Sequence, residues 1–155
     1  MQPQARHAAT AQTEALLALA SVVDRRKGSR PQRLLIVDDS ADIRELWRLW
    51  LTFWGFSVDE ACNGHDAIRK ATEFQPDLIL MDLWMPVVDG IEAMRRLKAD
   101  SRTSHVPVLA VSAQTHAPDS STALAAGADA VLIKPCDPDQ LLDHIRLAMG
   151  RLRTA

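Results

Sequence analysis

The feature that most constrains the fold is a regular alternation of short apolar segments with longer segments that have helical periodicity. Leu34–Val37 and Leu78–Met81 are continuous apolar runs, which are typical of strands buried on both faces. Strands that alternate with helices predict an α/β fold, a doubly wound five-stranded parallel sheet covered on both faces. The predicted strands are Leu34–Val37, Phe56–Ala61, Asp77–Met81, Val106–Val111 and Ala130–Ile133, and the predicted helices are Ala41–Trp54, Gly64–Phe74, Gly90–Ala99, Ser120–Ala126 and Pro138–Arg151.

The residues before the first predicted strand differ in charge from the rest of the chain. Residues 1–33 contain six basic and two acidic side chains, whereas residues 34–155 contain twelve basic and eighteen acidic ones. Thr10 or Thr13 can cap a helix that runs to about Arg26, and a basic linker follows it. We therefore expect an N-terminal arm with an extra helix over residues 1–32 and one domain over residues 33–153.

Composition excludes several classes of protein. No apolar run approaches the roughly 18 residues of a membrane-spanning helix. The apolar segment Ala15–Val23 follows an acidic residue and precedes a basic cluster, the reverse of the charge order in a secretory signal. Two cysteines, Cys62 and Cys136, are too few for a disulfide framework. We expect a cytoplasmic protein with no membrane contact, and no nucleic-acid partner because the domain is acidic.

Polar side chains stand where the predicted strands end. Asp38 and Asp39 follow the first strand, Asp82 the third, Ser112 the fourth and Lys134 the fifth. In a doubly wound sheet these ends meet at one edge, where ligands bind. Three adjacent carboxylates require a counter-charge, and Mg²⁺ prefers oxygen ligands. A carboxylate beside a cation and an ammonium is suited to attack phosphorus, so Asp82 is the candidate nucleophile.

Four segments match the motifs of a known family. They are LLIVDDSADIRELW (Leu34–Trp47), PDLILMDLWMPVVDG (Pro76–Gly90), VPVLAVSA (Val106–Ala113) and AGADAVLIKP (Ala126–Pro135). On these segments the chain resembles the receiver domains of bacterial two-component response regulators. The resemblance implies a flavodoxin-like (βα)5 fold and a role as a phosphorylated signalling protein.

The resemblance also implies a role for each polar residue. Asp82 is the expected phosphoacceptor. Asp39 and Asp82 are expected to bind Mg²⁺ directly, or Mn²⁺ as an alternative, together with the backbone carbonyl of Trp84. Asp38 is expected to act on the cation through water. The residues expected to bind the phosphoryl group are Ser112 and Lys134.

Partners follow from the same resemblance. The expected phosphodonor is a histidine kinase or a histidine phosphotransfer protein, docked on the helix Ala41–Trp54, and the signal passes to an unknown downstream protein or along a phosphorelay. We expect Leu49 and Phe53 on the outer face of that helix. There a docking partner covers them, the predicted N-terminal helix of this chain covers them, or they are isolated exposed apolar side chains. The expected inward stripe consists of Ile43, Leu46, Trp47, Trp50, Leu51 and Trp54. Few residues follow the last predicted helix, so we expect a stand-alone regulator or a truncated one. We further expect a monomer or a homodimer, and no enzyme activity beyond its own phosphorylation and dephosphorylation.

Two other functions are compatible with parts of the pattern. A phosphatase of the haloacid dehalogenase type also uses an aspartyl nucleophile, but that chemistry needs a second acid two residues later, where this chain has Trp84. An adaptor that binds nucleic acid through the arm is the other alternative, although a solvated linker explains the same charges. The basic residues concerned are Arg25, Arg26, Lys27, Arg30 and Arg33.

Overall fold

The computed structural model describes residues 30–86, 88–113 and 117–151, and of residues 117–119 and 151 it describes the backbone only. The helix predicted in the N-terminal arm lies outside these residues. The strands are β1 Arg33–Val37, β2 Ser57–Ala61, β3 Leu78–Asp82, β4 Val108–Ser112 and β5 Ala130–Ile133, and the helices are α1 Ala41–Phe53, α2 Gly64–Phe74, α3 Gly90–Ala99, α4 Ala117–Ala125 and α5 Pro138–Arg151. None of the helices in the described ranges is long and apolar enough to cross a bilayer.

The five strands form one sheet in the order β2-β1-β3-β4-β5. Every neighbouring pair is parallel. The chain moves from β1 outward to β2 and then returns past β1 to β3, so the strand order reverses between β1 and β3. The predicted α/β fold is confirmed, and the reversal marks the edge at which a ligand is expected.

Each face of the sheet carries its own core because successive strand residues point to opposite sides. Leu35 of β1 and Ile79 of β3 pack with residues of α2, α3 and α4. Leu34 and Leu78 lie on the other side, with residues of α1 and α5. Helices on both faces explain why the central strands are apolar throughout instead of alternating.

Element boundaries differ from the predicted ones by a few residues, for identifiable reasons. β4 begins at Val108 and not at Val106, because Pro107 has no N–H for the sheet and only its carbonyl bonds to Ile79, at 3.0 Å. α4 begins at Ala117, three residues before the predicted start, and Pro118 suits a first helical turn, where its missing N–H costs nothing.

The predicted inward stripe of α1 was wrong at one position. Leu46 is 46% exposed, whereas Leu51 is fully buried. Residue 46 precedes Trp47 by one position, or about 100° around the helix, which turns it away from the sheet. It joins Leu49 and Phe53, which are exposed as predicted. These three residues form the exposed apolar face of α1.

Gly90 starts α3 where the helix touches the end of β3. An added Cβ at this position would lie 2.1 Å from the Asp82 carbonyl oxygen and 2.9 Å from the Leu83 Cα. The Gly90 N–H also donates to the Leu83 carbonyl, at 3.2 Å. Close packing between backbones thus fixes the backbone of Asp82 and Leu83, from which the Asp82 carboxyl group projects.

We expect Gly90→Ala to lower the free energy of unfolding by roughly 1–3 kcal/mol, because a backbone segment must shift to admit the methyl group. Gly150→Ala is the matched control. That glycine lies in α5 with nothing within 4 Å of an added Cβ, so the change should leave stability equal or raise it by up to about 1 kcal/mol. Urea unfolding of both variants measures the difference, and equal effects of the two changes would contradict the packing argument.

Candidate functional site

Three carboxylates meet at the edge where the strand order reverses. Asp82 is the last residue of β3, and Asp38 and Asp39 follow β1 directly. Because β1 and β3 pair in parallel, with Val37 opposite Met81, their carboxyl ends lie together. One oxygen from each carboxylate lies within 4.8 Å of the others. Asp38 and Asp82 are buried, whereas Asp39 is exposed to solvent.

Lys134 supplies the positive charge in this cluster. Its Nζ lies 2.7 Å from Asp38 Oδ2 and 3.7 Å from Asp82 Oδ2. The residue follows β5, and its backbone N–H donates to the Ser112 carbonyl at 2.7 Å, which ties the end of β5 to the end of β4. One ammonium against three carboxylates leaves an excess of negative charge that a divalent cation can balance.

Burial has the largest effect on the pKa of the Asp82 carboxyl group. It raises the pKa of the Asp82 carboxyl above the ordinary value, and the negative charges of Asp38 and Asp39 raise it further. A hydrogen bond from the backbone N–H of Trp84 to Asp82 Oδ1, at 3.2 Å, and the charge of Lys134 oppose this increase in pKa. Desolvation is the larger effect, so the carboxylate is a poorly solvated anion that gains from a bound cation.

Ser112 and Trp84 complete the set of predicted residues. Ser112 is fully buried at the end of β4, one residue beyond Val111, which is the partner of Asp82 in the sheet register. The indole of Trp84 is 54% exposed. Trp84 also borders a cavity of about 260 Å³. The residues that line this cavity are Leu83, Trp84, Met85, Asp89, Ile91 and Thr122.

The fit of this site to a metal ion can be judged from its donors. All three side chains offer carboxylate oxygens, and described residues add neither histidine nor cysteine to the cluster. Hard cations such as Mg²⁺ prefer oxygen donors, whereas zinc and copper sites favour nitrogen and sulfur. The residues present therefore fit Mg²⁺.

One residue at the site was missed by the sequence interpretation. Arg44, in the first turns of α1, donates from Nη1 to the carbonyl oxygens of Asp38 at 2.8 Å and Asp39 at 3.2 Å. A signal for it existed, since Ser40 caps α1 and helical side chains lean toward the N-terminus. An arginine one turn after the cap is therefore within reach of the preceding loop.

Comparisons with known proteins agree with this geometry. The model of the response regulator receiver domain family matches residues 34–146. A relative described as a DNA-binding dual master transcriptional regulator, RpaA of Synechocystis, is 37% identical over 119 residues, which is 77% of this chain and 49% of that protein. The chain spans about half the length of the curated relatives that it matches.

Solved structures cover the same part of the chain. The chemotaxis protein CheY4 of Vibrio cholerae is 30% identical, with a TM-score of 0.73 over 77% of this chain and 99% of that one. The receiver domain of the sensor histidine kinase PA1611 of Pseudomonas aeruginosa is also 30% identical, with a TM-score of 0.73 over 78% of this chain and 99% of that one. That structure is described with a magnesium ion in its active site cleft.

We expect Asp82→Asn to stabilise the metal-free protein at pH 7. The folded state raises the pKa of Asp82, so folding favours the protonated carboxyl. The protonated Asp82 carboxyl stabilises the folded protein below its unfolded pKa, near 3.8. This stabilisation is lost as the pH rises through the pKa that Asp82 has in the folded state. The gain from asparagine should therefore be full at pH 7, shrink as the pH falls through the folded value, and be gone below about 4.

Urea unfolding in the presence of a chelator, at pH 7 and again below about pH 4, measures the stability difference between Asp82→Asn and the wild type. Asp143→Asn is the control, because it removes the same charge from an exposed position of α5, where changes usually stay within about 0.5 kcal/mol. A loss of stability in Asp82→Asn at pH 7 would contradict the prediction. Such a loss would mean that attraction to Lys134 outweighs desolvation.

Proposed function

Because the chain belongs to the response regulator receiver domain family, we propose that it accepts a phosphoryl group on Asp82 in a Mg²⁺-dependent reaction and passes the signal on by protein contact or phosphorelay. The observation that carries this proposal is the buried Asp82 carboxylate, which shares its surroundings with the Lys134 ammonium and two further carboxylates. A carboxylate in this position can act as a nucleophile, because the Lys134 ammonium beside it can neutralise negative charge on an incoming phosphoryl group.

The proposed step is a direct displacement at phosphorus. A carboxylate oxygen of Asp82 forms a P–O bond while the P–N bond of a phosphohistidine breaks, and the electron pair of that bond returns to the imidazole nitrogen. Asp38, Asp39, Asp82 and the Trp84 carbonyl are the groups proposed to hold Mg²⁺. When bound there, the cation supplies neutralisation of charge on the phosphoryl oxygens.

Two side chains are proposed to bind the transferred group. The Lys134 ammonium, shared between Asp38 and Asp82 in this structure, pairs with a phosphoryl oxygen after transfer. The Ser112 hydroxyl, at the adjacent strand end, donates a hydrogen bond to another. The product is an acyl phosphate on the protein itself, so we propose a signalling domain whose chemistry is limited to its own phosphorylation and dephosphorylation.

The proposed phosphodonor is a histidine kinase or a histidine phosphotransfer protein in the cytoplasm. The exposed apolar face of α1, formed by Leu46, Leu49 and Phe53, supports docking of a partner, since neighbouring apolar side chains that form one exposed patch often mark an interaction site. RpaA, a relative, is named as DNA-binding, but the acidic balance of residues 34–155 supports a protein target for this domain. That the protein acts without an output domain stays a prediction.

Incubation with acetyl phosphate and Mg²⁺ should add one phosphoryl group to the protein, and Asp82→Asn should abolish the addition. Intact-protein mass spectrometry measures it. Asp89→Asn is the matched control in the same loop, because Asp89 caps α3 through Glu92 N–H and asparagine caps a helix equally well. Undiminished labelling of Asp82→Asn would move the acceptor to another residue.

Removal of one proposed ligand should weaken cation binding without unfolding the protein. We expect Asp39→Asn to raise the Kd for Mg²⁺ by at least about tenfold, since even groups that only orient a ligand contribute that much. Asp42→Asn is the control, because Asp42 is an exposed residue of the first turn of α1. Calorimetric titration at neutral pH gives both values. Equal affinities of the two variants for Mg²⁺ would show that Asp39 is not a ligand of the cation.

A further inference from the structure

Arg44 holds the backbone of the loop that carries two of the three carboxylates. A single nitrogen of its guanidinium, Nη1, donates to the carbonyls of both Asp38 and Asp39. The side chain is half-buried. The backbone N–H of Arg44 donates to the Ser40 carbonyl at 3.1 Å, which closes the first turn of α1. The arginine is therefore fixed to the helix at one end and to the acidic loop at the other.

The two loop carboxylates differ in how they are held. Asp38 receives the Ser40 N–H at 2.9 Å and the Lys134 ammonium at 2.7 Å. Within the described ranges, no hydrogen bond or ion pair reaches the carboxylate of Asp39. The orientation of Asp39 thus depends on its backbone, which is restrained by the Arg44 hydrogen bond to its carbonyl and by the hydrogen bond between Asp38 and Ser40 on either side of it.

We propose that Arg44 is a positioning residue for the cation site, which it serves by fixing the peptide that presents Asp39. This inference rests on the proposed function, because it assigns a further residue to the same Mg²⁺-dependent site. The hydrogen bonds of Arg44 go to carbonyls and leave the carboxylate oxygens available. Groups that orient a metal ligand in this way typically contribute ten- to a hundredfold to affinity, as an order of magnitude.

Charge and positioning predict opposite effects of removing Arg44. As a nearby cation, the guanidinium repels Mg²⁺, so its removal should tighten binding if electrostatics alone matters. As a positioning residue, its removal frees the Asp39 backbone and should weaken binding. The sign of the change in Kd therefore separates the two roles.

The test compares Arg44→Gln with Arg48→Gln. Arg48 lies one turn later on α1, with its Nε 3.9 Å from Glu60 Oε2, so the control removes the same charge from the same helix. We expect the Kd for Mg²⁺, from calorimetry, to rise about tenfold or more in Arg44→Gln and to stay near the wild-type value in Arg48→Gln. The rate of phosphorylation by acetyl phosphate should require more Mg²⁺ but approach the wild-type maximum at saturation.

Arg44→Lys provides a second variant that keeps the charge and the helix propensity of the site. Its ammonium stands on a shorter side chain and cannot take the position of the guanidinium Nη1, so we expect Kd to rise at least as much as in Arg44→Gln, because the positioning is lost while the repulsion of Mg²⁺ is kept. Binding as tight as wild type, or tighter, in both Arg44 variants would overturn the inference. A wild-type protein that neither binds Mg²⁺ nor accepts a phosphoryl group would instead reject the proposed function.

Discussion

The parallel pairing of β1 with β3 is the constraint on which the site depends. It brings Asp38 and Asp39 next to Asp82 although more than 40 residues separate them along the chain. The pairing is maintained by burial on both faces of the sheet, since Leu34–Val37 and Leu78–Met81 are excluded from solvent. The carboxylates cannot separate without dismantling both cores. The fold therefore determines how close together the negative charges lie, and apolar burial offsets the resulting repulsion.

That repulsion links stability to function. A buried Asp82 with a raised pKa is costly for the fold in the absence of a cation, because the interior favours the neutral form. The same cost becomes binding energy when a cation neutralises the site. Lys134 relieves the repulsion in part, and it lies closer to Asp38 than to Asp82, so the carboxylate proposed as the acceptor is the less fully paired of the two.

The fold and the candidate residues were largely predictable because they depend on signals that are local in sequence. Apolar runs that end in Asp82 or Asp38 identify a strand and its functional end at once. Leu46 was misjudged because a helix with apolar residues on several sides does not reveal which of them face the sheet. Arg44 was not predicted because its hydrogen bonds go to backbone carbonyls, which every residue has. Arginines on surface helices are also usually exposed to solvent, so the residue type alone gives no signal.

The loop after Asp82 is restrained on two sides by glycines that allow close approach. An added Cβ at Gly64 would lie 2.5 Å from a Val88 methyl group, and one at Gly90 would meet the Asp82 carbonyl. Between these contacts Trp84 is exposed, yet its N–H bonds to the Asp82 carboxylate. Loss of the negative charge on Asp82 Oδ1 would weaken this hydrogen bond. The loop is therefore closely packed where these two glycines meet it, whereas Trp84, the exposed residue between the contacts, borders the cavity beside α4.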